Sequence, residues 1–213
     1  MDRLRVTEIF YSLQGETKTV GLPTVFVRLT GCPLRCQYCD TTYAFQGGQW
    51  MDIDAILKEV GRYRTRYVTV TGGEPLVQKG CLSLLTRLCD SGYDVSLETS
   101  GALSIEEIDA RVVKVVDVKT PGSLEVEKNE WRNLHYLLPH DQLKFVICDR
   151  TDYEWSKQVF QERALADRCQ VLFSPSYAQL EASVLADWII ADQLPVRLQI
   201  QLHKYLWGDQ PGK

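Results

Sequence analysis

The 213-residue sequence predicts an α/β domain of parallel strands, built as an incomplete (βα) barrel of about six strands, with a doubly wound open sheet as the alternative. Short β-branched apolar runs alternate with segments of helical periodicity, as right-handed parallel crossovers require. The chain is shorter than the roughly 250 residues of a full eightfold barrel, and residues 5–16 stand outside the repeat. Polar motifs fall at the carboxyl ends of the runs, where both architectures place their chemistry.

Strands are expected at Thr24–Leu29, Tyr67–Thr71, Asp94–Thr99, Val112–Lys119, Gln142–Cys148, Gln170–Ser174 and Val196–Leu202, the first six in a clear series. Between them, Asp52 can cap a helix whose Ile53, Ile56, Leu57 and Val60 share one face. A second helix runs from Gly80 to Asp90, with Cys81, Leu84, Leu85 and Leu88 on one stripe and Gly92 as its stop. Ser104 and Glu107 suggest a capping box for a short helix. Thr151–Ala166 and Leu180–Asp192 complete the helical set.

The composition describes one globular domain spanning 1–213, and it narrows the function. A net charge of −4, with no run of five like charges, offers no footing for a non-specific grip on nucleic acid or an anionic membrane. No stretch approaches the roughly 18 apolar residues of a spanning helix, and residues 1–10 lack the apolar centre of a signal peptide. The expected compartment is the cytoplasm. There the seven cysteines, an odd number, are ligands, catalysts or core residues before they are a disulfide framework.

Three of them, Cys32, Cys36 and Cys39, follow the first predicted strand at C-x-x-x-C-x-x-C spacing in a loop opened by Gly31 and Pro33. Three thiols can wrap one compact iron–sulfur cubane while leaving one iron open to a ligand. A structural zinc would need a fourth ligand, and no other Cys or His lies near the loop. Dithiol chemistry is a weaker rival carried by Cys36 and Cys39 alone, and chance burial fits poorly beside Arg35 and Asp40. Cys81 and Cys89 belong to an apolar helical stripe, while Cys148 and Cys169 flank strands without metal-ligand neighbours; all four are expected in the core.

The cysteine loop resembles the cluster-binding signature of the radical S-adenosylmethionine (SAM) superfamily, whose members have full or partial (βα) barrels. Thr71-Gly72-Gly73-Glu74-Pro75 is similar to that superfamily's GGEP motif. Three further segments resemble the 7-carboxy-7-deazaguanine synthases across nearly the whole chain. These are Glu8-Ile9-Phe10-Tyr11-Ser12-Leu13-Gln14-Gly15-Glu16 with Arg28, Cys39-Asp40-Thr41 with Glu98-Thr99-Ser100-Gly101, and the late His203-Lys204-Tyr205-Leu206.

The resemblance implies a lyase that contracts the ring of 6-carboxy-5,6,7,8-tetrahydropterin, with a [4Fe-4S] cluster, SAM and Mg²⁺ as cofactors. It assigns Cys32, Cys36 and Cys39 to the cluster and Thr41 to Mg²⁺. Tyr38, Asp40, Gly73, Asp117, Val118, Lys119 and Ser174 are assigned to SAM. Leu13, Gln14, Gly15, Arg28, Thr71 and Glu98 are assigned to the substrate, with Arg28 reading its carboxylate. A substrate-binding segment at 5–23, a C-terminal tail at 203–213, a flavodoxin-like electron donor and a homodimer are further expectations. Asp117-Val118-Lys119 stands where many relatives carry Ser-Pro-Lys, and Ser174-Pro175 where some carry Gln-Pro. A rival within the superfamily is an activating enzyme for a glycyl-radical protein, and a rival outside it is a zinc-binding adaptor.

Overall fold

A computed structural model describes residues 3–208, 210 and 212. In chain order its strands are β1 (Arg3–Leu13), β2 (Pro23–Leu29), β3 (Gln49–Asp52), β4 (Tyr67–Gly72), β5 (Asp94–Thr99), β6 (Val113–Val118), β7 (Gln142–Ile147), β8 (Gln170–Pro175) and β9 (Arg197–Leu198). They form one sheet in the order β3-β1-β2-β4-β5-β6-β7-β8-β9. Strands β2 and β4 to β8 are mutually parallel, which is the expected series of six. Two-residue β9 extends it on one side, and antiparallel β1 and β3 on the other.

The helices are α1 (Ile53–Val60), α2 (Gly80–Asp90), α3 (Arg150–Glu162), α4 (Ala182–Ala191) and α5 (Leu202–Trp207). The first four apply their apolar stripes to one face of the sheet. There Ile56, Leu84, Leu85, Tyr153 and Leu185 pack with Val27, Val70, Leu97, Phe145 and Phe173 in one continuous buried cluster.

Two expectations are corrected and one is extended. The segment before β2 stands outside the parallel repeat, as expected, and is itself an eleven-residue strand; its alternation is broken by a bulge between Val6 and Glu8, which disguises the period of two. Ser104 starts no helix: its hydroxyl accepts from Glu106 N at 3.3 Å in a local turn. The β5–β6 crossover is coil held by buried Asn133, which donates to Leu103 O (2.9 Å) and accepts from Ile105 N (3.1 Å). The strand expected over Val196–Leu202 shrinks to Arg197–Leu198, because Gln199 turns to bond Gly15 O at 3.3 Å and the chain enters α5.

Because β1 runs antiparallel to β2, its exit lies at the amino ends of the parallel strands. Residues 14–22 fold back there, with Gln14 N donating to Leu22 O (2.9 Å) and Gly21 N to Gln14 O (2.7 Å). Lys18 N donates to the Gln142 side chain at the start of β7 (3.0 Å). This loop floors the barrel. Residues 199–203 bind it through Gly15 O, which also accepts from Leu202 N at 3.1 Å. Residues 209, 211 and 213 of the expected tail lie outside the described residues. Among the described residues no helix is long and apolar enough to cross a membrane.

Candidate active site

The cysteine loop begins where β2 ends. Gly31 turns with φ +105°, a conformation that disfavours any side chain, and buried Leu34 anchors the loop to the body of the protein. Cys39 N donates to Cys36 O at 3.1 Å, and Gln37 N to Ser123 O at 3.2 Å. The loop closes with a 3₁₀ turn at Thr42–Phe45.

The end of β4 meets this loop at close range. A Cβ on Gly72 would stand 2.4 Å from Leu29 O, and one on Gly73 would stand 2.4 Å from Gly31 O, so no larger residue fits at either position without a shift of backbone. Fully buried Glu74 then binds the next strand end, accepting from Ser100 N (2.6 Å), Thr99 Oγ1 (2.8 Å) and Leu76 N (2.9 Å). Cysteine loop, TGGEP turn and β5 terminus are thereby one rigid unit.

Below that rim the inner face of the sheet is polar. Lys144 on β7 pairs with Glu16 of the floor loop (2.8 Å) and Asp117 on β6 (3.1 Å), and Asp117 also pairs with Lys119 (2.9 Å). Burial opposes ionisation of Glu16, but the Lys144 ammonium, helped by His203, overcomes it and holds Glu16 at about 2. Burial likewise disfavours the charge on Lys144, and Asp117 and Glu16 outweigh it to push its pKa well up. Glu98 is the opposite case. Burial and then the charge of Glu16 raise its pKa, while its contacts are the Gln14 amide and the Thr71 hydroxyl, each at 3.2 Å.

One cavity of about 280 Å³ gathers these groups, and every residue nominated from the sequence lines it except Val118. At Val118 alternation along β6 turns the side chain into the apolar core, while Asp117 and Lys119 face the cavity. Cys148 is a correction. It is half-buried beneath the cysteine loop, 3.6 Å from Gln37 Nε2, whereas Cys81 and Cys169 are core and Cys89 packs partly buried against it.

Lys144, Glu16, Gln201 and His203 also line the cavity, though no role was assigned to them from the sequence. Lys144 carried a signal, being a lysine in the middle of the apolar run Gln142–Ile147. Glu16 and His203 sat inside matched motifs, but nothing in their spacing showed that they meet.

The residues present fit a cluster with SAM beside it. Cys32, Cys36 and Cys39 are free thiols facing one cavity, and burial raises the pKa of Cys32 and Cys36, so metal binding there releases protons. The hydroxyl of Tyr38 is buried without a hydrogen-bond partner on the wall of the same cavity, a polar atom that a ligand would satisfy.

A three-thiol loop after the first parallel strand of an open barrel, locked to a Gly-Gly turn over a buried polar cavity, defines a radical SAM enzyme. Residues 26–117 match the Radical SAM superfamily model, and membership implies a [4Fe-4S] cluster and SAM. The chain is 44% identical over 208 residues to the 7-carboxy-7-deazaguanine synthase of Chlorobaculum tepidum, covering 96% of this chain and 94% of that one. It is 42% identical over 219 residues to the synthase of Koribacter versatilis, covering 96% and 97%. The chain belongs to the 7-carboxy-7-deazaguanine synthase family. Its fold is similar to that in the crystal structure of QueE from Escherichia coli, with a TM-score of 0.77 at 23% identity over 93% of this chain and 94% of that one.

Proposed function

We propose that this protein converts 6-carboxy-5,6,7,8-tetrahydropterin to 7-carboxy-7-deazaguanine with release of ammonia, a ring contraction that feeds queuosine-type tRNA modification. The observation that carries this reading is identity of 44% to a synthase of that name over 96% of the chain. When bound, the [4Fe-4S] cluster and SAM supply a 5′-deoxyadenosyl radical by one-electron reductive cleavage of SAM.

The protein's part is placement and protection. Cys32, Cys36 and Cys39 hold the cluster. Tyr38, Asp40, Gly73, Asp117, Lys119 and Ser174 hold SAM along the rim. Leu13, Gln14, Gly15, Thr71 and Glu98 hold the pterin lower in the barrel, with Arg28 on its carboxylate. Glu98, on the cavity wall, offers carboxylate oxygens as acceptors to the ring N–H groups. Thr41, on the cavity wall, would offer one oxygen to a bound Mg²⁺ ion. The floor loop and the apolar outer layer keep bulk water from the reacting carbon.

In this reading 1–213 is one domain, with 5–23 as the substrate-binding segment and 203–213 as the closing tail. The enzyme works in the cytoplasm as a homodimer and draws electrons from a flavodoxin-like donor. Anaerobic turnover of the carboxypterin by the reconstituted protein, with and without Mg²⁺ and followed by product mass, tests it. Expected is 7-carboxy-7-deazaguanine, with a higher rate when Mg²⁺ is present. Reductive cleavage of SAM with no conversion of the pterin would overturn it.

A further inference from the structure

The guanidinium of Arg28 is held on three sides and open on the fourth. Its Nε donates to Glu8 Oε1 at 2.7 Å, and the same oxygen accepts from Tyr43 Oη at 2.8 Å. Phe10 and Tyr43 set their rings 5.7 and 5.9 Å from the guanidinium carbon. Among the described residues Glu8 is the one side chain hydrogen-bonded to Arg28. The terminal nitrogens therefore keep their donors for a ligand. Arg28 and Phe10 line the cavity, whereas Glu8 and Tyr43 do not.

The backbone shows why Glu8 is there. In an unbroken strand Glu8 would share a face with Val6, which is buried in the outer core. The bulge between them shifts the register, so that Val6 pairs with Leu29 but Glu8 pairs with Arg28, turning the carboxylate to the inner side. Tyr43 comes from the 3₁₀ turn that closes the cysteine loop. The side-on bond to Nε leaves the end-on edge free, and that edge matches a planar carboxylate with two parallel hydrogen bonds. The Tyr43 hydroxyl, by donating to Glu8, draws charge from the internal carboxylate and leaves Arg28 more of its attraction for an incoming one.

We propose that Glu8 and Tyr43 are positioning residues that fix the Arg28 fork, so that the site discriminates for a carboxylate on the pterin ring and holds it in register with the cysteine loop. This rests on the reading of Arg28 as the carboxylate contact, and the experiment separates the two. Binding of 6-carboxypterin and of unsubstituted pterin, both unreactive probes, is measured anaerobically by calorimetry on the reconstituted enzyme. The ratio of the two dissociation constants isolates the contribution of the carboxylate.

Glu8→Ala is expected to shrink that ratio about tenfold, the scale of one hydrogen bond to a charged group, and Glu8→Gln to restore part of it. Tyr43→Phe, at a half-exposed position that spares the core, is expected to shrink it about threefold. Affinity for pterin itself and for SAM stays unchanged in all three, which a general loss of structure would not leave intact. If Arg28→Ala abolishes the discrimination while Glu8→Ala and Tyr43→Phe retain it, the positioning role is overturned and the Arg28 contact stands. If Arg28→Ala retains the discrimination, both fall.

Discussion

Strand β7 carries the two halves of this protein on adjacent residues. Phe145 points outward into the apolar layer, where its ring lies 5.3 Å from that of Phe173. Lys144 points inward and joins Glu16 to Asp117. The outer face follows the ordinary logic of burial, in which apolar area removed from water stabilises the fold at roughly 25 cal/mol per Å². The inner face does the reverse, keeping charges out of bulk water and balancing them against one another around a cavity. The difference teaches that this barrel is stabilised by one side of its sheet and works with the other.

The largest test of that division is at the rim. Cys36→Ala is expected to abolish iron incorporation and SAM cleavage, while Cys81→Ala, in the outer core, leaves iron content unchanged; iron analysis after anaerobic reconstitution reads both. Next come the neighbours on β7. Phe145→Ala should cost about 3–5 kcal/mol of stability, with little dependence on pH, by denaturant titration. Lys144→Met leaves two buried carboxylates without their shared partner, a change of about 3–5 kcal/mol for broken buried pairs, and its cost should depend on pH.

The sign follows from Glu16, whose pKa of about 2 lies below the ordinary 4.5. The stability it contributes is fully present above about pH 4.5 and is lost as pH falls toward 2. The deficit of Lys144→Met should therefore be larger at pH 7 than at pH 3, and equal deficits at both would remove Lys144 from the network.

Glu98→Gln is the smallest and sharpest test. Because the pKa of Glu98 is raised above 4.5, its proton favours the fold below that pH and the benefit fades as pH rises through the folded value. Once pH passes the folded value that benefit is gone, so the glutamine variant should melt at the same temperature as the parent or slightly higher, yet bind the pterin more weakly. A clear drop in melting temperature would mean that Glu98 is structural.

Much of this was legible in the sequence, and the exceptions have physical causes. The parallel strands read as short β-branched runs because one face packs under the helices, and the site motifs sit at their ends because the fold places chemistry there. Strand β1 stayed hidden behind its bulge, where Thr7 interrupts the alternation. Lys144 was visible as a lysine within a strand, but a sequence does not say whether the polar face of a strand looks to solvent or into a lumen. Val118 was carried along with its neighbours by a motif, whereas alternation alone would have turned it away from the cavity. Glu16, Gln201 and His203 are brought together across more than 180 positions, and no local pattern records that.

That last juxtaposition bears on how the protein is made. A Cβ on Gly15 would lie 2.3 Å from His203 Nδ1, so the floor loop and the segment leading into α5 interlock rather than merely touch. During synthesis the early strands can pair and the outer helices can dock, but the lumen stays open until residues 199–203 have left the ribosome and found residues 14–16. A nascent chain then carries the complete cysteine loop well before it can shield anything bound there.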